Sequence, residues 1–235
     1  MLEITPIASS SAGNCYLLDN GISRLIVELG IPWKKVKQAL NFDLLGVAGA
    51  LVSHSHADHC KAVVDAAKAG IDVYLSRQTA EAIEAAGHRI HHVSPREQFS
   101  VDSGWAVLPL EVEHDVDGAL GFLISTGDEK ILFLTDTWFC RYRFKGITRL
   151  MIECNYDDDT LRKNVASGAL NTSQCERVLR THFGLEKVVD FMKANDISMV
   201  KEIHLLHLSN GNANEERIRT TIKRLTGVPV YVDGK

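Results

Sequence analysis

Apolar and polar positions alternate in short runs at the start of the chain. Leu2–Ala8, Cys15–Asp19 and Arg24–Leu29 read as strands, separated by Ser9-Ser10-Ser11-Ala12-Gly13-Asn14 and by the hairpin signal Asn20-Gly21. A helix is expected next, with Pro32 in its first turn and Val36, Ala39 and Leu40 on one face. Val47–Val52 is an unbroken run of small and apolar residues, as a buried strand requires. Cys60–Gly70 follows as a helix with a glycine stop, then a strand at Asp72–Ser76 and a helix around Gln78–Ala86. Val107–Glu113, Leu120–Thr126 and Lys130–Thr135 form another strand group, the last two joined across Gly127-Asp128, and Thr148–Glu153 is a further strand. Beyond it the pattern turns helical. Leu185, Val188, Val189 and Met192 fall at i, i+3, i+4 and i+7, Lys201–His207 is a strand, and Asn214–Leu225 is a helix with Ile218, Ile222 and Leu225 inward. Strands then helices, twice over, predict an α/β layered sandwich with two sheets inside and helices outside. With no linker or repeat, residues 1–235 are expected to form a single domain of two sheet-plus-helix halves.

Composition changes this picture little. At 45% hydrophobic and 24% charged residues, the chain has the composition of an ordinary globular protein, and disorder is not indicated. No apolar run approaches membrane-spanning length, and the start lacks a basic-then-apolar signal. Five cysteines, Cys15, Cys60, Cys140, Cys154 and Cys175, make an odd count without a CxxC pair. They read as reduced thiols, so a cytoplasmic location is expected. The formal net charge of −4 supplies no global field for nucleic acid, so any such binding needs a local patch.

The candidate chemistry gathers where the Val47–Val52 strand hands over to a helix. There the chain reads Ser53-His54-Ser55-His56-Ala57-Asp58-His59. An extended backbone points His54 and His56 the same way, and Asp58 and His59 add a carboxylate and a third imidazole at once. Such a ligand set suits divalent metal, more than one ion included. The pattern His54-x-His56-x-Asp58-His59 after a strand resembles the signature of the metallo-β-lactamase superfamily. The resemblance implies the αββα metallo-β-lactamase fold and a dinuclear site completed by further ligands where strands stop. The candidates are His114 after Pro109-Leu110-Glu111-Val112-Glu113, Asp136 after Ile131-Leu132-Phe133-Leu134-Thr135, and His207 after Ile203-His204-Leu205-Leu206. The resemblance implies that one metal would take His54, His56 and His114, the other Asp58, His59 and His207, with Asp136 between them. His88, His91 and His92 lie in a polar connection and read as solvated, and His204 has opposite strand parity to His207.

Within the superfamily the chain resembles the small exonucleases of the YycJ/WalJ type and, more distantly, RNase Z and RNase J. The likeness rests on Ser11-Ala12-Gly13-Asn14-Cys15-Tyr16, Thr135-Asp136-Thr137, Glu153-Cys154-Asn155-Tyr156-Asp157 and His207-Leu208-Ser209. Two departures stand out. Glu28-Leu29-Gly30 replaces Asp-Ala-Gly, and His182-Phe183-Gly184-Leu185 replaces His-Leu-Ser-Asn.

The resemblance implies phosphodiester hydrolysis with two divalent ions (Zn²⁺ or Mn²⁺, with Fe open) sharing a hydroxide that Asp58 orients. It also implies His182 as the acid for the leaving oxygen. After Asp136 comes Trp138-Phe139-Cys140-Arg141-Tyr142-Arg143-Phe144-Lys145-Gly146-Ile147-Thr148-Arg149, cations interleaved with rings and without an acid. That composition suits a single-strand path and equally a solvated basic face over buried aromatics. Arg141, Tyr142, Arg143 and Asn14 are the candidate substrate contacts, with DNA or RNA as the partner. A small-molecule hydrolase opening a cyclic phosphodiester, lactone or thioester on the same metals is the rival reading, and a non-catalytic metal-binding module is a third.

Overall fold

The computed structural model describes residues 2–102 and 104–233. The chain divides into two compact units, Met1–Glu111 with Val116–Asp128, and Val112–Asp115 with Glu129–Asp233.

The first unit opens with β1 (Glu3–Ser10), β2 (Gly13–Asp19) and β3 (Arg24–Val27). Neighbours among them pair antiparallel. The turn between β2 and β3 is closed by Asn20, whose Oδ1 accepts from the amides of Ile22 (2.9 Å) and Ser23 (2.8 Å), the local bond that makes Asn a turn residue. Next come α1 (Trp33–Ala39), β4 (Val47–Leu51), α2 (Ala57–Cys60), α3 (Val63–Lys68), β5 (Val73–Leu75), α4 (Arg77–Ala82) and β6 (Ile90–His92). β3, β4, β5 and β6 run parallel, so the sheet reads β1-β2-β3-β4-β5-β6. β7 (Phe99–Val101), β8 (Trp105–Glu111) and β9 (Leu120–Thr126) form an antiparallel set in the same unit. Its core includes Ile26, Leu29, Val36, Val52, Val63, Ala66, Val73 and Leu75.

The expected helix over Cys60–Gly70 is interrupted. The Ala62 amide donates to the Leu29 carbonyl at 2.8 Å, and the Leu29 amide to the His59 carbonyl at 2.9 Å. Backbone groups that would have continued the helix are spent on the segment after β3, so α2 and α3 form separately. Ala39 is exposed rather than on the buried face of α1. His91 keeps a side chain 40% exposed, and β6 also places its Nε2 2.8 Å from Asp72 and stacks its ring on Tyr74.

The second unit holds β10 (Glu129–Leu134), β11 (Arg149–Glu153), α5 (Asp158–Ala166), α6 (Thr172–Thr181), α7 (Leu185–Ala194), β12 (Glu202–Leu206), α8 (Glu215–Thr226) and β13 (Val230–Val232). Its strands lie parallel in the order β13-β12-β11-β10. β11 is buried along its whole length, with apolar Leu150, Met151 and Ile152 at its centre, as a strand covered on both faces requires. Leu185, Val188, Phe191 and Met192 form the buried face of α7, with Phe191 in place of the expected Val189. In α8 Ile218 and Ile222 are buried, whereas Leu225 is 37% exposed. α8 ends at Gly227 with φ 73°, the left-handed cap that glycine adopts without strain. His204 pairs with Asp233 at 3.0 Å and stacks on Tyr231, away from the partners of His207.

Candidate metal centre

In the first unit the four residues of the His-rich turn come together. His56 caps α2 and Asp58 occupies its first turn. His54 Nε2 lies 3.1 Å from His56 Nδ1, and the rings of His54 and His59 have centroids 4.1 Å apart. His59 Nε2 is 3.4 Å from Asp58 Oδ2. The Ser53 hydroxyl engages His54 Nδ1 at 2.8 Å, a bond that orients the ring and leaves Nε2 to the cluster.

Two further residues hold this turn from beneath. Asn14 is 1% exposed; its side-chain amide donates to the Asp58 carbonyl (3.2 Å) and lies 3.1 Å from His59 Nε2. The structure therefore places Asn14 inside the support of the ligand turn. Glu28 is fully buried; its carboxylate accepts from the Ser53 amide at 3.4 Å and stands 3.6 Å from His59 Nδ1. Glu28 adopts φ 69°, a left-handed conformation that costs a non-glycine residue energy and is concentrated at functional sites. Glu28, where the resemblance expects Asp, thus stands beside the His59 imidazole.

The second unit builds its own cluster from four strand-end or loop residues. Ligand atoms of Asp136, Glu153, His182 and His207 all lie within 4.8 Å of one another. His207 Nδ1 is 2.9 Å from Asp136 Oδ1 and 3.2 Å from Glu153 Oε1. His182 Nδ1 is 2.5 Å from Glu153 Oε1. Asp136 (φ 36°) and His207 (φ 53°) are both left-handed, which again marks strain held at a site. His114 Nδ1 donates to the Thr181 carbonyl at 3.1 Å, and its Nε2 stands 3.2 Å from Asp115 and 3.9 Å from Asp136.

That geometry tests whether metal fits. A carbonyl only accepts, so a neutral His114 carries its proton on Nδ1 and turns the Nε2 lone pair toward carboxylate oxygens. A cation between Nε2 and Asp136 satisfies both. In His207 it is Nδ1 that faces the Asp136 and Glu153 carboxylates, so Nδ1 donates to them and Nε2 keeps the lone pair. Imidazoles with buried carboxylates are the donor set of Zn, Mn or Fe, and the residues present fit such ions.

Glu153 has a part that its place in Glu153-Cys154-Asn155-Tyr156-Asp157 did not reveal. Besides His182 and His207, it accepts from the amides of Thr137 (3.2 Å) and Phe183 (3.1 Å). Burial pushes its carboxyl upward, but the His182 charge and the bonds from His182 and His207 hold it below the usual range. For His182 burial works downward, and the Glu153 charge and hydrogen bond override it, so the imidazole is held above its ordinary value. Asn155 donates to the His207 carbonyl at 3.0 Å. Asp157 caps α5 through the Thr160 amide and also takes the Asn214 amide at 2.7 Å. Alternate residues of one extended segment thus brace the loops that carry His182 and His207. Gly184 suits this packing, since a Cβ there would meet the Tyr156 ring at 2.4 Å.

The basic-aromatic stretch is only partly available. Arg149 is 7% exposed and paired with Glu202 (2.7 Å) and Glu129 (3.1 Å), so it leaves the set of cations open to a ligand. Arg141 pairs with Glu113. Phe144 is buried, Tyr142 half-buried, and Arg143 and Lys145 are exposed.

The profile of the beta-lactamase superfamily domain matches residues 17–205. A curated relative from Bacillus anthracis, exodeoxyribonuclease YycJ, is 29% identical over 95% of this chain and 89% of its own length. Exodeoxyribonuclease WalJ of Streptococcus pneumoniae is 28% identical over 92% of this chain and 85% of its own. Among solved structures, the metallo-β-lactamase fold protein YhfI from Bacillus subtilis superimposes with a TM-score of 0.72 at 16% identity, covering 100% of this chain and 97% of that one. The protein belongs to the beta-lactamase superfamily, as a metal-dependent hydrolase with the metallo-β-lactamase fold.

Proposed function

We propose that the protein is a phosphodiesterase that removes nucleotides from DNA, an exonuclease, with two divalent cations as cofactors. The ligands are His54, His56, Asp58, His59, His114, Asp136 and His207, an assignment that rests on their order along the chain and on the donor chemistry of each cluster. Two divalent cations supply Lewis acidity, polarising a phosphoryl oxygen and making water a nucleophile near neutral pH. Asp58, on the first turn of α2 with a side chain 23% exposed, accepts a hydrogen bond from the attacking water and orients it. His182 donates a proton to the leaving oxygen. It is the imidazole in the second cluster with the greatest side-chain exposure, 19%, and Glu153 Oε1 orients it through Nδ1.

The observation that carries this reading is the His182 Nδ1–Glu153 Oε1 pair at 2.5 Å, set beside Asp136 and His207: an imidazole oriented by a carboxylate next to metal ligands is placed to deliver the proton that expulsion of a poor leaving alkoxide requires. The two relatives named exodeoxyribonucleases support DNA as the polymer. Arg141, Tyr142 and Arg143 serve the strand, and Asn14 serves by holding the ligand turn. The five cysteines are free thiols, which supports a reducing, cytoplasmic setting.

The test is a panel of 5′- or 3′-labelled single- and double-stranded DNA and RNA, each with Zn²⁺ or Mn²⁺. Stepwise shortening of DNA in at least one metal is expected. Intact polymers in every lane, with turnover of a cyclic phosphodiester, lactone or thioester, would transfer the assignment to the small-molecule class.

A further inference from the structure

The second unit contains a cavity of about 220 Å³ that the metal chemistry does not use. Phe183 and Phe191 form its buried floor, 2% and 6% exposed, with their rings 6.3 Å apart edge to face. Trp138 and Phe139 line it too, yet remain 41% and 46% exposed. Large rings left open to water at the mouth of an apolar cavity mark a surface kept for a ligand. Arg143 and Lys187 are the cations of the lining. Lys187 is held in place by a bond to the Leu179 carbonyl at 2.9 Å, and its ammonium lies 5.4 Å from the Trp138 ring centre. Asp190, the acid on this rim, is exposed, so solvent screens its charge.

We infer that this cavity is a subsite for one unstacked nucleobase, occupied by the nucleotide next to the phosphodiester being cut; this step rests on the nuclease reading. Three observations bear on the occupant. Pockets that enclose whole small molecules run to roughly 300–1,000 Å³, so a smaller cavity takes one ring system rather than an entire metabolite. Rings that can stack on a base, flanked by cations that can meet phosphate, are the pairing a single strand uses. Chain continuity fixes the place: Phe183 follows the candidate acid His182 directly, and Trp138 lies two residues after Asp136. Adjacent Cα atoms are about 3.8 Å apart, so a base seated here belongs to a nucleotide at the cleavage point. A base within a duplex is stacked and paired on both sides and cannot enter until it is extruded. Single strands and frayed ends are therefore the substrates this subsite accepts.

The experiment measures KM and kcat of the metal-loaded full-length protein on labelled single-stranded DNA. Each strand carries one abasic residue, placed in turn at the first few positions from the digested end. For wild type, an abasic residue at the position beside the cut bond is expected to raise KM about 5–150-fold. Trp138→Ala should raise KM by a similar factor on the intact strand and add nothing on the strand already lacking that base. Trp138→Phe, which keeps a stacking ring and checks folding, should stay within a few fold of wild type. Equal KM for intact and abasic strands in wild type would overturn the subsite, as would equal losses on both strands in Trp138→Ala. If wild type cleaves no strand at all, the nuclease reading falls and takes this one with it.

Discussion

Glu153 is one buried carboxylate with four partners, drawn from residues 137, 182, 183 and 207. Each partner alone is a modest hydrogen bond, but together they fix two imidazoles at once. An outer-shell partner of this kind usually contributes 10–100-fold to metal affinity. Glu153→Gln is accordingly expected to weaken metal binding by about that factor in a competition with a fluorescent chelator. An unchanged affinity would mean that His207 needs no such support. His182 calls for a different readout. Its replacement by Ala should leave metal content alone and lower turnover on DNA by roughly 10²–10⁴. Bis-p-nitrophenyl phosphate, whose leaving phenolate needs little protonation, should suffer a much smaller loss. Equal losses on both substrates would remove His182 from the acid role. The sequence made the first cluster legible because His54 to His59 are local. Glu153 was not legible, since its partners converge from segments distant along the chain.

The elements that place the ligand turn are braced backbone to backbone. Leu29 exchanges hydrogen bonds with His59 and Ala62, and Gly30 follows so closely that a Cβ there would fall 1.6 Å from the Asp58 carbonyl oxygen. No side chain can be accommodated without moving α2, and with it Asp58 and His59. Gly30→Ala should therefore destabilise by about 1–3 kcal/mol or more, lowering the melting temperature by on the order of 5–10 °C. Gly211, which has nothing within 4 Å of an added Cβ, is the control, and Gly211→Ala should melt with wild type. Identical melting of the two variants would contradict this account of the turn. The long and alternating strands were readable from periodicity, but β6, β7 and β13 are three residues each, too short to establish a period of two. α5 and α6 bury only Leu161 and Thr181 between them, so no apolar stripe outlined them. The break between α2 and α3 depends on the Leu29 backbone, which leaves no trace in side-chain pattern.

For the molecule as a whole, a formal charge of −4 means that a polyanion is attracted only where cations cluster locally. Burial removes Arg149 from that cluster and Glu113 offsets Arg141, which leaves Arg143 and Lys145; Arg143, which lines the aromatic cavity, is the one expected to matter most. Arg143→Ala should reduce the salt slope of single-strand binding by about 0.7 and weaken binding alike across sequences. A slope equal to that of wild type would take Arg143 off the strand path. The central claim is the proposed one, that the chain holds two divalent ions and that Asp136 is among their ligands. Elemental analysis of purified wild type and Asp136→Ala, each loaded and desalted in parallel, tests it most directly. The account predicts two metals per chain in wild type, with fewer than two and little DNA cleavage in the variant; two metals and full cleavage in Asp136→Ala would contradict it.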